Sequence, residues 1–583
     1  MNSFLCLCLL VSCAAFVQAG LQDHKYTDGE QVILWSNKVG PYRNPQETYS
    51  YFSLPYCRPN NTSEDENPHG ISDMLQGYEL KNTGFDIQFK ESKPRTVLCE
   101  TTLNEADFAK LKSAVEEMYW YQMFLDDLPL WGMVGDSMIS GSETKHYLYT
   151  HRDLSLSYNG NRIISVNLTS EGPVLLEAGA KLVFTYKVTW TATSTDFDDR
   201  FDRYLDDQFF EHQIHWFSIF NSFMMGVFLS GLVAMILLRT LRKDYAKFER
   251  EDLEDTTAGS QEEDSGWKQV HGDVFRAPPH LGVLAALIGT GYHIISLLSL
   301  VLFMCMVNYF YKHRGVIMYA IIMCYAFTSF IGGYGGGGFY ARNGGRNWIR
   351  VMLISSVLYP AINLVIFLVM DMVAVSYGSL NSLPISAMVF VACLWAFVSF
   401  PLTIAGTILG RNFSGTADRI PCRVNQVPRQ IPERPWFARR ELQIILGGML
   451  PFGCIFIEIY FVFTSVWHYK FYYIYGVLMI VFLLLVIVTV CTNVVSTYFL
   501  LNWEDYRWHW HSYWSGASTS LYIILYSIYY YFNKTEMTGA LQATFYFGYM
   551  LMFSLTVGLV CGAIAYVASS VFVRRIYRNI KVD

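Results

Sequence analysis

Charge is what this chain has least of. Only 16% of its 583 residues are Asp, Glu, Lys or Arg, where a soluble domain carries ~25%. The 43 basic and 49 acidic residues leave a net charge of −6. There is no basic excess for nucleic acid to meet, and that class of partner is excluded. Catalytic constellations are missing too. No nucleophile elbow, no HExxH and no CxxC pair occurs, so the expectation is a protein that is not an enzyme and holds no cofactor or metal. Cysteine is sparse where an extracellular scaffold would need it. Past the first 19 residues, the polar stretch 20–213 holds only Cys57 and Cys99.

Hydrophobic length fills the chain instead. Residues are 52% hydrophobic and 16% aromatic, with a mean hydropathy of +0.24. Nine apolar runs follow one another at about 215–238, 281–307, 315–334, 349–371, 385–409, 443–466, 472–501, 514–532 and 543–572. A spanning helix needs about 20 such residues. The expected fold is a membrane protein: an N-terminal, β-rich, sandwich-like domain over 20–213, then an α-helical bundle of nine transmembrane helices over 214–573.

The start reads as a secretory signal over 1–19, with an apolar stretch from Phe4 to Val17 and small residues at Val17-Gln18-Ala19. It carries no Lys or Arg before that stretch. Residues 20–213 are then translocated, and glycosylation sequons there begin at Asn60, Asn61 and Asn167. Two cysteines alone in an oxidising compartment tend to pair, which predicts a Cys57–Cys99 disulfide; two buried thiols are the alternative.

Within this domain Leu154-Ser155-Leu156-Ser157-Tyr158 alternates, Asn159-Gly160 follows, and the chain resumes at Ile163. That pattern predicts a hairpin with a type I′ turn. Lys181 to Ala192 predicts another strand, and Asn104 to Trp120 a helix.

Charge also sets the expected orientation. With the N-terminal domain outside, the inner loops are about 239–280, 335–348, 410–442 and 502–513, with a tail at 574–583. They gather most arginines outside the N-terminal domain, among them Arg239, Arg342, Arg411, Arg434, Arg440 and Arg574. This is the positive-inside bias.

Few residues inside the runs carry chemistry. Glu458 is the one acid well within a run. A mid-bilayer charge costs ~3 kcal/mol, so Glu458 is either a proton or ion site, or a protonated carboxyl bonded to a neighbouring helix. Pro451, Gly447-Gly448 and Gly453 are expected to interrupt its helix. Asp371 sits near a run's end, and His293 within the second run reads as a packed polar group. The segment Gly332 to Gly338 resembles a phosphate loop only superficially, since no Lys-Ser/Thr follows; it reads as a flexible helix end or hinge. Gly406–Gly410 and Gly558–Gly562 are small-xxx-small faces suited to close helix packing. Trp503 to His511 reads as an interfacial belt, with Arg507 able to meet lipid headgroups. The tail ends Lys581-Val582-Asp583, a pattern that a coat-protein receptor can read.

Longer words make the chain recognisable. Tyr51-Phe52-Ser53-Leu54-Pro55-Tyr56-Cys57, His215-Trp216-Phe217-Ser218-Ile219-Phe220-Asn221-Ser222, Gly266-Trp267-Lys268-Gln269-Val270-His271-Gly272-Asp273, Leu450-Pro451-Phe452-Gly453 and Glu504-Asp505-Tyr506-Arg507-Trp508 resemble those of the nonaspanins, the transmembrane 9 superfamily. The likeness runs nearly end to end. It implies a large lumenal domain, nine spans, and residence in Golgi or endosomal membranes. It further implies a role in sorting other transmembrane proteins, notably cargo with glycine-rich spans. The family's C-terminal Lys-x-Asp/Glu signal falls on Lys581 and Asp583 here, which implies a COPI-type coat as partner. A transporter or channel working through Glu458, and a receptor working through the lumenal domain, are the alternatives. The identity of any cargo and the oligomeric state are not legible.

Overall fold

The computed structural model describes residues 24–58, 74–140, 143–205, 266–307, 316–414, 421–422, 424–467 and 475–579, with isolated positions between 220 and 246. The signal peptide, parts of the first apolar run, Asn60, Asn61, Lys581 and Asp583 lie outside the described residues.

The N-terminal domain is built of strands. One sheet runs β3 (Tyr49–Ser50), β2 (Leu34–Pro41), β7 (Tyr119–Leu125), β8 (Leu128–Met133), with β4 (Lys81–Asn82) also on β2. The other runs β11 (Arg162–Leu175), β10 (Glu143–Asn159), β12 (Lys181–Ala192), β6 (Lys93–Thr102), with β9 (Gly135–Ser140) also on β10. A short pair, β1 (Gln31–Val32) and β5 (Ile87–Gln88), stands apart. Strand alternation explains the core. Leu154 and Leu156 point inward while Ser155 between them is exposed, as a period of two requires. They share one hydrophobic cluster with Val188 of the same sheet and Val39, Tyr121 and Met123 of the other.

Two local expectations shift. Asn159 pairs with Arg162, so the hairpin loop is Gly160-Asn161, one residue later than Asn159-Gly160. Only Gly160 has a positive φ, 63°, which is the pattern of a II′ turn with glycine first. A register shift beside Ser157/Tyr158 accounts for the displacement. The predicted helix is α1 (Glu105–Glu116), capped by the Asn104 side chain, which accepts from Asp107 N at 2.7 Å. It stops before Trp120 because Met118 adopts φ 51° and turns the chain into β7.

The rest is helical: α2 (Leu281–Val307), α3 (Val316–Arg342), α4 (Trp348–Tyr377), α5 (Ile385–Leu394), α6 (Phe400–Phe413), α7 (Arg440–Trp467), α8 (Tyr475–Asn502), α9 (Trp508–Ala517), α10 (Thr519–Lys534) and α11 (Ala540–Ile576). A single π-helical turn, Trp395–Ser399, joins α5 to α6. Among the described residues seven helical segments are long and apolar enough to cross a membrane. The eighth apolar run forms α9 and α10, which meet at Ser518. The fold is thus a β domain followed by a bundle of membrane-spanning helices.

Two expectations about these helices are corrected. Pro451 lies inside α7, which continues from Arg440 to Trp467, so the helix of Glu458 is not broken. The Gly332–Gly338 segment lies within α3 and is not its flexible end. Those glycines let two backbones touch. A Cβ on Gly333 would fall 2.3 Å from Thr403 O, and one on Gly406 2.1 Å from Phe330 O, so α3 and α6 pack with no side chain between them.

Loops gather at the two ends of the bundle. At one end the β domain docks. Asn44 Nδ2 donates to Thr538 O (2.9 Å), and Thr538 N returns a bond to Asn44 Oδ1 (3.0 Å). Thr48 O accepts from Leu380 N (2.8 Å) and Ser379 Oγ (2.9 Å). At the other end, segments 266–276, 424–438, 503–507 and 577–579 interlock. Tyr577 Oη donates to Trp267 O (2.5 Å), Trp508 Nε1 to Val274 O (2.8 Å), and Asn425 N to Gly272 O (2.8 Å).

Candidate functional site

The helices are most irregular around a polar cavity between α2, α3, α4 and the α5–α6 turn, lined by Thr290, His293, Ser329, Ser356, Tyr359 and Ser399 among others. Each irregularity has a cause in the sequence. Pro360 in α4 has no N–H, so the carbonyl of Ser356, four residues earlier, loses its helical donor. Trp395 Nε1 supplies one at 3.3 Å. Trp395 also opens the π turn, a distortion that recurs at functional positions. At its far end Ser399 O accepts from Ser329 Oγ (3.0 Å) and Thr403 Oγ1 (2.9 Å), while Ser399 Oγ is buried without a protein partner.

His293 projects from α2 into this place. Its Nε2 lies 2.9 Å from Tyr325 O. A carbonyl only accepts, so Nε2 carries the proton and Nδ1 is left as an acceptor. The cavity has room for about one water molecule. Its lining offers hydroxyls, one imidazole and backbone carbonyls, and no carboxylate. Such a place can bind a water and let two kinked helices change shape against each other. As it stands it is too small for an organic solute. Among the described residues no group of three or more His, Cys, Asp or Glu side chains is placed to hold a metal ion.

The residues singled out in the sequence do not meet here. Glu458 is 3% exposed in α7 and its Oε1 has no protein partner, but it does not line the cavity. Cys57 and Cys99 are bonded to each other, with Cα atoms 6.0 Å apart, and tie the segment after β3 to β6. Asn167 is exposed on β11, where Arg203 donates to its side chain. Asp371 Oδ1 accepts from Leu383 N at 2.7 Å and so holds the α4–α5 connection.

Reading Trp503 to His511 as an interfacial belt is also corrected. Asp505 is fully buried. It pairs with Arg434, 71 residues away, and with Arg507 at 3.1 Å. Burial by itself would raise the Asp505 carboxyl; the hydrogen bonds from Arg507 and Arg434 outweigh it and hold the group below the usual carboxylate range. Arg507 is thus engaged with Asp505. Trp508, His509 and His511 are buried as well, His509 with Nδ1 2.9 Å from Tyr566 Oη. A charged word among tryptophans resembles a membrane belt in sequence, and only its remote partner Arg434 reveals a buried ion pair.

The family model for Endomembrane protein 70 matches residues 48–540. Among curated proteins, transmembrane 9 superfamily member 4 of Arabidopsis thaliana is 37% identical over 594 residues, covering 100% of this chain and 99% of that protein. Member 3 of the same plant is 36% identical, covering 99% and 98%. Member 1 of Mus musculus is 37% identical, covering 96% and 94%. No solved structure matches the chain. The three members stand at near-equal identity, so identity assigns no member number; the β domain, the helical bundle and these matches along the whole length place the chain in the Endomembrane protein 70 family, the transmembrane 9 superfamily.

Proposed function

We propose that this chain is a sorting factor of Golgi and endosomal membranes that helps other transmembrane proteins, those with glycine-rich spans, to reach their destination. Its β domain is lumenal and its C-terminus cytosolic. The observation that carries this reading is an uncovered flank. In α4 and in the α5–α6 segment only 17% of the most apolar stretch is buried within the chain, against 56% in α11. Ala392 of α5 and Ala396 of the π turn, one turn apart and both exposed, place two small side chains on this flank. A span rich in glycine can approach such a face more closely than lipid does, because small residues allow backbone contact between helices. The flank lies next to the π turn and the His293 cavity, so a docked helix would bear on the most deformable part of the bundle.

The orientation draws support from the arginine bias of the loops, and the segments 266–276, 424–438, 503–507 and 577–579 gather at the end opposite the β domain, as that orientation expects of cytosolic loops. Under it, Lys581 and Asp583 form a coat-readable tip. The test is to deplete the chain from cells and measure the surface abundance of membrane proteins. A set with glycine-rich spans should fall and should return on re-expression. An unchanged surface proteome overturns the reading. One observation favours a second reading, proton or ion coupling through Glu458: its buried Oε1 without a protein partner. A change in endosomal pH on depletion, with the surface proteome intact, is the result that reading expects.

A further inference from the structure

The seam between α8 and the α9–α10 pair holds polar groups that behave differently from the other hydroxyls of the bundle. α8 and α9 are joined by a short turn and run antiparallel. One hydrogen bond sets their register: Ser496 Oγ lies 2.9 Å from His511 Nε2. With helical spacing, the next rung sets Thr492 against Ser515, and the one after sets Thr489 against Thr519. Asn493 shares the α8 face. Thr489, Asn493, Ser515 and Thr519 are fully buried, and Thr492 is 9% exposed.

Elsewhere in the bundle a threonine hydroxyl donates to the carbonyl one turn back, as Thr290 does to Ala286, Thr328 to Cys324, Thr403 to Ser399 and Thr556 to Met552. Thr492 and Ser515 do not: among the described residues their hydroxyls have no protein partner, while the Thr489 hydroxyl meets the Cys561 thiol. Asn493 completes the set. Its Nδ2 donates back to Thr489 O at 2.9 Å, and its Oδ1 is left without a partner. Two further helices close the place. Gly447 of α7 lies so near that a Cβ there would fall 1.9 Å from Ser515 Oγ. Cys561 of α11 is fully buried, and the side chains of Thr489 and Thr519 hydrogen-bond its thiol. Buried oxygens are seldom left unpaired, and three in one seam, those of Thr492, Asn493 and Ser515, call for something to bind.

The geometry points to a binding site for a hard monovalent cation, sodium-like in size, held by Thr492 and Asn493 from α8 and Ser515 from α9. Neutral hydroxyl and amide oxygens suit such an ion. Calcium draws on carboxylates for its oxygen shell. None belongs to the seam, and the nearby Asp505 is committed to Arg434 and Arg507. A soft transition metal would call for thiolate or several imidazoles, and His511 Nε2 is already engaged with Ser496. This site does not depend on the sorting role; either can stand without the other.

The test uses the full chain in detergent or nanodiscs. Its melting midpoint is measured as sodium chloride replaces choline chloride at constant ionic strength. The midpoint should rise with sodium and level off, as binding to a single site requires. No difference between the two salts overturns the site. In Asn493→Leu or Thr492→Val the rise should vanish, and a rise that persists in either folded variant overturns the assignment to these residues. Should neither variant fold, Cys561 decides. Its labelling by N-ethylmaleimide, mapped by mass spectrometry, should slow by the factor 1 + [Na+]/Kd, about fivefold at four times Kd; labelling indifferent to sodium rejects the proposal.

Discussion

Glu458 and His151 mark the two environments a titratable group meets in this chain. Glu458 lies in the bundle with one oxygen unpaired, at a depth where a charge costs ~3 kcal/mol. Glu458→Gln keeps size and polarity and should express and elute in gel filtration as the wild type does. Glu458→Lys places a long cation at the same depth and should fail to yield folded protein. A folded lysine variant would mean that water reaches the position. His151 sits in the β domain, with Nδ1 2.8 Å from Thr185 Oγ1. Burial, with the Arg95 charge second, pushes its imidazole below the usual histidine value. Below about pH 6.5, the ordinary value, the unfolded chain takes up a proton that the folded domain does not, so stability falls as pH falls. The melting midpoint should therefore drop between pH 7.5 and 5. His151→Gln should flatten that dependence, and an equally steep drop in the variant would remove His151 as its source.

Glycine has opposite meanings in two helices of this bundle. Gly406 in α6 faces Phe330 O of α3, where a Cβ would sit at 2.1 Å. Gly406→Ala must push the backbones apart and should cost about 1–3 kcal/mol. Gly453 in α7 has nothing within 4 Å of where a Cβ would stand. Gly453→Ala should be neutral, or stabilising by up to ~1 kcal/mol through helix propensity. Thermal midpoints of the two variants in one detergent should move in opposite directions, or the first alone should fall. Equal losses would show that the α3–α6 contact is looser than its geometry. The sequence contains both glycines in apolar runs and cannot tell them apart, because the difference lies in which helix stands opposite. The same holds for proline: Pro360 and Pro451 both lie inside helices, yet only Pro360 borders the cavity.

At the scale of the whole molecule, the orientation predicts where glycans occur. Asn167 is exposed on the β domain and should carry one. Asn533, at the end of α10, should be modified less completely, and Asn412, at the end of α6, should be bare. Glycosidase treatment with peptide mapping checks all three, and a glycan on Asn412 would invert the topology. The sequence by itself determined the division into a β domain and a membrane bundle, because strand alternation and the length of an apolar run are local and follow from backbone period and bilayer thickness. It likewise determined β12 to the residue, and it singled out Cys57 and Cys99 as a pair by leaving no third cysteine in their domain. Only the tertiary structure decided what the polar residues of the bundle do. Arg434 finds Asp505 across 71 residues, Trp395 serves the carbonyl that Pro360 leaves open, and Ser496 meets His511 across the α8–α9 seam. In a run of apolar letters each of these reads as an ordinary helix residue. Their roles come from a partner on another helix, and that pairing is set by how the helices pack.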